Sequence, residues 1–167
     1  MEEKVWPAHG RSLCDPETSL QYHLESMSTV PLSKQLSQIS TMPHRVLVIE
    51  PLQTIREILS LHLAKAGYDV VMADDPVTGG RILLADTPDL VICDVNLPYM
   101  TGLELLAAIR ADDAISNVPV VFLTAREDAE TYQRARSLRV NGYLNKPVRH
   151  EDLLAVIKRA LTGKADK

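Results

Sequence analysis

Val46-Leu47-Val48-Ile49-Glu50-Pro51 is the stretch on which the fold turns. Four unbroken apolar residues, three of them β-branched, are too few for a core helix and suit a strand buried on both faces. The run ends on Glu50, and Pro51 is a residue favoured in the first turn of a helix, so a strand-to-helix junction is expected there. Working outward, Ile55, Ile58, Leu59, His62, Leu63 and Ala66 recur at helical spacing, and Gly67 is placed to close that helix. Val70-Val71-Met72 reads as a second strand. Pro76 to Ala85 reads as a second helix, weakened by Gly79-Gly80 and capped by Asp74 and Asp75, and Leu90-Val91-Ile92-Cys93 as a third strand. The alternation continues with a helix over Leu103 to Ala111, a strand over Val118 to Leu123 and a helix over Asp128 to Leu138. A strand over Val140 to Leu144 and a helix over Glu151 to Leu161 complete it.

Five buried strands alternating with five helices predict an α/β fold, a doubly wound five-stranded parallel sheet with helices on both faces. In such folds the working crevice lies beyond the carboxyl ends of the central strands. Glu50 follows strand one, Asp94 ends strand three, Thr124 ends strand four and Lys146 follows strand five, so these four polar side chains are expected to share that crevice. A carboxylate such as Asp94 can attack phosphorus if the incoming oxygens are neutralised, and a lysine, a hydroxyl and a magnesium ion are groups that neutralise them. Pro147 restricts Lys146 by its ring.

The 167 residues give one domain with chain to spare. Residues 1–42 are rich in Ser, Thr, Gln and Pro and poor in core-forming residues, so a disordered N-terminal extension is expected there, a globular domain over 43–163 and a short tail over 164–167. Leu20, Leu24 and Met27, then Leu32, Leu36 and Ile39, have the spacing of two short amphipathic helices; chance spacing in a frayed tail is the alternative. Met42, directly before the first strand, is a candidate for the physiological start. The net charge of −4 offers no basic surface, so direct nucleic-acid binding is not expected. Cys14 and Cys93 have no metal-ligand spacing, and Cys93 reads as a small buried apolar residue. No apolar run approaches a membrane span, and a reducing cytoplasm is the expected location.

Four blocks together carry a resemblance: Val46 to Arg56, Asp94-Val95-Asn96-Leu97-Pro98-Tyr99-Met100-Thr101-Gly102-Leu103, Phe122-Leu123-Thr124-Ala125 and Gly142-Tyr143-Leu144-Asn145-Lys146-Pro147. In this order and spacing the chain resembles the receiver domains of bacterial response regulators, across its whole globular part. The resemblance implies a flavodoxin-like (βα)5 fold and a phosphoryl group accepted on Asp94 from a histidine kinase or a histidine phosphotransfer protein. It also implies phosphoryl contact by Lys146, a switch hydroxyl on Thr124 and a switch aromatic at Tyr143. Magnesium is implied on Asp94, Glu50 and the backbone carbonyl of Asn96, and a downstream protein target on the face formed by helix four, strand five and helix five.

Two positions depart from the family pattern. Two adjacent acids normally follow strand one, and here they read Glu50-Pro51, so the usual direct metal ligand is missing and weakened magnesium binding is expected. Arg139 stands where a helix-ending glycine is common. Three functions stay open on the sequence. The first is a stand-alone phosphorylation switch, not an enzyme in the ordinary sense. The second is a degenerate receiver that acts as an interaction module without phosphorylation. The third is an aspartate-nucleophile phosphatase, disfavoured because the usual second aspartate is Asn96.

Overall fold

The computed structural model describes residues 43–125 and 128–163. The expected N-terminal extension with its two short helices, and the tail over 164–167, lie outside the described residues. Within them the elements run β1 (Arg45–Ile49), α1 (Gln53–Lys65), β2 (Asp69–Ala73), α2 (Pro76–Ala85), β3 (Leu90–Cys93), α3 (Gly102–Ala111), β4 (Val120–Thr124), α4 (Ala129–Ser137), β5 (Gly142–Asn145) and α5 (His150–Leu161). All strands pair in parallel, in the order β2-β1-β3-β4-β5. This is the doubly wound α/β architecture expected from the alternation.

Strand residues alternate between two cores. Leu47, Ile49, Val91, Cys93, Val120 and Phe122 point into a cluster closed by residues of α2, α3 and α4, such as Leu83, Leu106 and Ala135. Val46, Val48, Leu90, Ile92, Val121 and Leu123 point the other way, into a cluster closed by α1 and α5 through Leu59, Leu63, Leu153 and Ile157. Burial on both sides is why the strands read as continuous apolar runs rather than alternating ones. The strand order reverses beside β1, so its carboxyl end and that of β3 frame the crevice.

Several boundaries differ from the periodic reading. Pro51 lies in a bend before the helix, not in its first turn, and α1 begins at Gln53 with Leu52 as a cap that has no capping side-chain bond. The cap is Asp75 alone at α2, where its carboxylate accepts the Val77 and Thr78 amides; Asp74 takes no part. β4 and β5 begin two residues later than the apolar runs suggest and end one residue later, at Thr124 and Asn145. Before β5, Asn141 donates its amide to the Val120 carbonyl and accepts the Val120 amide on its side chain, a hydrogen-bonded corner that apolar patterning does not register. Arg139, in the glycine position, has φ +58° and caps the turn after α4 in the left-handed region.

Candidate functional site

The carboxyl ends of β1 and β3 and the loop after β5 deliver three charges to one point. Asp94 follows β3 directly, and its amide donates to the Ile49 carbonyl, which ties it to β1. Glu50 follows β1, with its amide donating to the Ala73 carbonyl of β2. Lys146 follows β5, and its amide donates to the Thr124 carbonyl at the end of β4. The backbone ladder is thus carried one residue past the strands, which fixes where these side chains start. Gly102 belongs to the same construction: a Cβ there would meet the Asp94 carbonyl oxygen at 2.4 Å, so only glycine lets the start of α3 approach so closely. Thr101 and Glu104 secure that start with a reciprocal capping box.

The Lys146 Nζ donates to Glu50 Oε2 at 2.5 Å and to Asp94 Oδ2 at 2.6 Å. The second oxygen of each carboxylate is also held: Glu50 Oε1 accepts the Leu52 amide at 3.1 Å and Asp94 Oδ1 the Asn96 amide at 3.0 Å. Glu50 is 2% exposed and Asp94 8%. Burial pulls the Lys146 ammonium down, but the hydrogen bonds and charges of Asp94 and Glu50 outweigh it and hold its pKa above the ordinary lysine value. Two carboxylates facing one ammonium leave net negative charge in a nearly dry pocket. Cys93, next to Asp94, is fully enclosed; burial first and the Asp94 and Glu50 charges second push its thiol far up, so it is an inert core residue.

Of the residues singled out in the sequence, Glu50, Asp94, Asn96 and Lys146 line one crevice of about 740 Å³. Thr124 sits at the end of β4, fully buried, and is not part of that lining. Tyr143 is half-buried on β5, packed edge-on between Phe122 and Tyr132 of α4, with ring centroids 6.2 and 5.3 Å away. Pro51 is on the lip of the crevice, continued by Leu52, Ile55 and Ile58 of the β1–α1 corner into an apolar wall. Leu52 is 61% and Ile58 49% exposed there, so Ile58, which helical spacing assigned to the core face, borders open space instead.

Sequence reading missed two parts of this region. Arg56 reaches back to the carbonyls of Glu50, at 2.5 Å, and Pro51, at 3.2 Å, and so clamps the corner. Its position one turn into a helix gave no signal without the fold. His62 and His150 also line the crevice; His62 was counted only as part of an apolar stripe, and His150 comes to it from the far end of the chain.

A parallel α/β sheet with an acid–lysine–acid cluster at its carboxyl edge defines a class of phospho-acceptor signalling domains. The family model for the response regulator receiver domain matches residues 46–158, and the chain belongs to that family, the receiver domains of two-component signalling. It is 34% identical over 104 residues to the chemotaxis protein CheY of Pseudomonas aeruginosa, covering 62% of this chain and 84% of that one. It is 32% identical over 123 residues to the DNA-binding dual master transcriptional regulator RpaA of Synechocystis, covering 74% of this chain and 51% of the regulator. The chain therefore spans only about half the length of that relative. The structure of the chemotaxis response regulator CheY4 of Vibrio cholerae superposes with a TM-score of 0.67 at 31% identity, over 71% of this chain and 98% of that one. Receiver domains act as phospho-acceptor switches and pair with histidine kinases or phosphotransfer proteins. No helix among the described residues is long and apolar enough to cross a membrane.

Proposed function

We propose that this chain is a phosphorylation switch in which Asp94 takes a phosphoryl group from a histidine kinase or a histidine phosphotransfer protein. The observation that carries the reading is the Lys146 ammonium at 2.6 Å from Asp94 Oδ2, beside an Asn96 amide that fixes the other oxygen. In the transfer an Asp94 oxygen attacks phosphorus, the P–O bond forms as the P–N bond to the donor imidazole breaks, and that imidazole keeps the electron pair and takes up a proton. Lys146 faces the developing charge on the phosphoryl oxygens, and a contact preset in a low-dielectric site costs little reorganisation. Thr124, at the end of β4, is the switch hydroxyl, and Tyr143, between Phe122 and Tyr132, the switch aromatic. The readout is a changed surface of α4, β5 and α5, which binds or releases a protein.

Receiver domains generally use magnesium, and the donor set fits a hard cation in part. Glu50, Asp94 and the backbone carbonyl of Asn96 would hold it, and the net negative charge of the cluster favours it. When bound, the ion neutralises phosphoryl oxygens. Pro51 supplies no ligand, and Lys146 already bridges both carboxylates, so affinity is low. These two facts favour a second reading, a receiver that works as an interaction module without phosphorylation.

Incubation with acetyl phosphate or phosphoramidate, with and without magnesium, separates the two by intact mass. Metal-dependent gain of one phosphoryl group, absent from Asp94→Asn, supports the switch; no gain at high magnesium in a folded protein supports the module. Pro51→Asp restores an acid at the lip and is expected to tighten magnesium by roughly ten- to a hundredfold, the worth of about 1–3 kcal/mol per charged contact. Unchanged affinity by calorimetry would remove Pro51 from the metal site.

A further inference from the structure

Helix α1 has one apolar face more than the sheet beneath it covers. Leu59 and Leu63 are buried in the core that α1 closes. Ile58 and Leu61, three residues apart and so neighbours on the outer side, are 49% and 53% exposed. A helix that packs on one side only carries polar residues opposite its core stripe, so this second stripe has the composition of a contact. The charges on α1 select what it contacts. Arg56 is turned to the Glu50 and Pro51 carbonyls, and His62 to the groove, where its ring lies 4.9 Å from that of His150. That leaves Glu57 in the amino-terminal half of the helix and Lys65 at its carboxyl end, both exposed, with Leu61 midway between them in sequence. The Gln53 side chain donates to Glu57 at 2.7 Å on the exposed side and keeps the carboxylate outward. An antiparallel copy of the same helix sets each Glu57 against the other copy's Lys65, with Ile58 and Leu61 of both copies between the two pairs. A parallel copy sets like charge on like.

We propose that a second copy of this chain covers the outer face of α1, through a twofold-symmetric antiparallel α1–α1 contact. In such a contact the same patch serves both copies, so one acid and one base at opposite ends of the stripe form two complementary pairs. One helix face is small beside the roughly 1,200–2,000 Å² of a standard interface, so the dimer is weak, with a dissociation constant on the order of ten to a hundred micromolar. Ile58 also lines the crevice, so the second copy lies at its mouth and shares that approach with any partner that reaches Asp94. This last consequence rests on the proposed phosphorylation of Asp94; the association itself does not.

Sedimentation equilibrium of the full chain, from well below to well above that concentration range, tests it. The average mass should climb from one chain toward two, and more so at low salt than at high. Leu61→Ser, which removes a leucine from both sides of the contact, should weaken association by roughly tenfold or more, about 1.4 kcal/mol. Leu84→Ser, at an exposed leucine of α2 on the opposite face of the sheet, should leave it intact. Glu57→Lys and Lys65→Glu should each weaken it by roughly threefold to tenfold, because like charges then meet at both ends. Mixing the two single variants should restore association, and so should both substitutions in one chain. The recovered samples carry the same substitutions as the weakened ones, so loss of folding does not reproduce that pattern. A monomer at every concentration, a dimer that Leu61→Ser leaves intact, or charge reversals that fail to weaken association or to recover it overturn the proposal.

Discussion

The two ends of the sheet handle charge in opposite ways. At the amino end, Arg110 from the close of α3 donates to the carbonyls of Ser116, Val118 and Arg139 and to the side-chain oxygen of Asn141, all within 2.8–3.0 Å. Arg45 is shared between the carboxylates of Asp69 and Asp86, and its amide binds Asp89. Cations there have acceptors in plenty, at the surface or half-buried. At the carboxyl end the ratio is inverted: two carboxylates, both nearly dry, depend on one ammonium. The first arrangement staples loops; the second stores unbalanced charge where a cation or a phosphoryl group can relieve it.

The sharpest way to break that contrast is to remove each cation. Lys146→Met leaves Glu50 and Asp94 facing each other without a counterion. The expected loss is about 3 kcal/mol in urea denaturation, the low end for breaking a buried pair because Lys146 keeps some water contact. Adding Asp94→Asn to that variant should recover most of the loss, since only one buried charge then remains, and the two substitutions should be far from additive. Arg110→Met removes one donor from several carbonyls that water can reach, and about 1–2 kcal/mol is expected. If the Lys146→Met, Asp94→Asn double variant is no more stable than Lys146→Met, the two carboxylates do not share their counterion.

Alkaline titration sharpens the same contrast. The folded state raises the pKa of Lys146, so it binds that proton more tightly than the unfolded chain does. Its contribution is complete below the unfolded lysine value, roughly pH 10, and is lost as pH rises through the folded value. The parent should therefore lose more stability above that pH than Lys146→Met, with the difference read from denaturation midpoints across the range. Arg110, although its pKa is lowered by burial first and the nearby Arg139 charge second, stays protonated there and gives Arg110→Met no such difference.

How much of this was legible in the sequence follows from which force decides each part. Strands such as Leu90–Cys93 are fixed by burial on both faces, and an unbroken apolar run announces that. Asp94, Glu50 and Lys146 were placed by strand ends alone, because a parallel sheet carries its loops to one edge. Pro51 falls two residues before the helix rather than in its first turn because its preference for a helix start is local, whereas the bend is held by Arg56 gripping the Glu50 and Pro51 carbonyls. The His62–His150 contact depends on how α1 and α5 pack across the sheet, a distance of tertiary origin with no periodic trace. Residue type marked Arg139 as an irregular substitute for glycine, but not the conformation it adopts.

That conformation supplies the finest comparison between the two ends. Arg139 and Tyr99 are both left-handed, with φ +58° and +68°, and neither is a residue that tolerates the region well. A side chain there costs about 1–2 kcal/mol, and glycine recovers it less about 0.4–1 kcal/mol of added unfolded-chain entropy. Arg139→Gly also removes a positive charge that acts on the Arg110 guanidinium, while leaving the carbonyl that Arg110 grips. Tyr99 is 93% exposed in the loop after β3 and has no comparable burden. Both glycine variants should therefore gain stability, by about 0.5 kcal/mol, with Arg139→Gly gaining the more. Urea midpoints measured with replicate precision resolve that order. A loss in Arg139→Gly would mean that the arginine side chain contributes more to the amino end than its backbone strain costs, and the stapled end would then be tighter than its hydrogen bonds indicate.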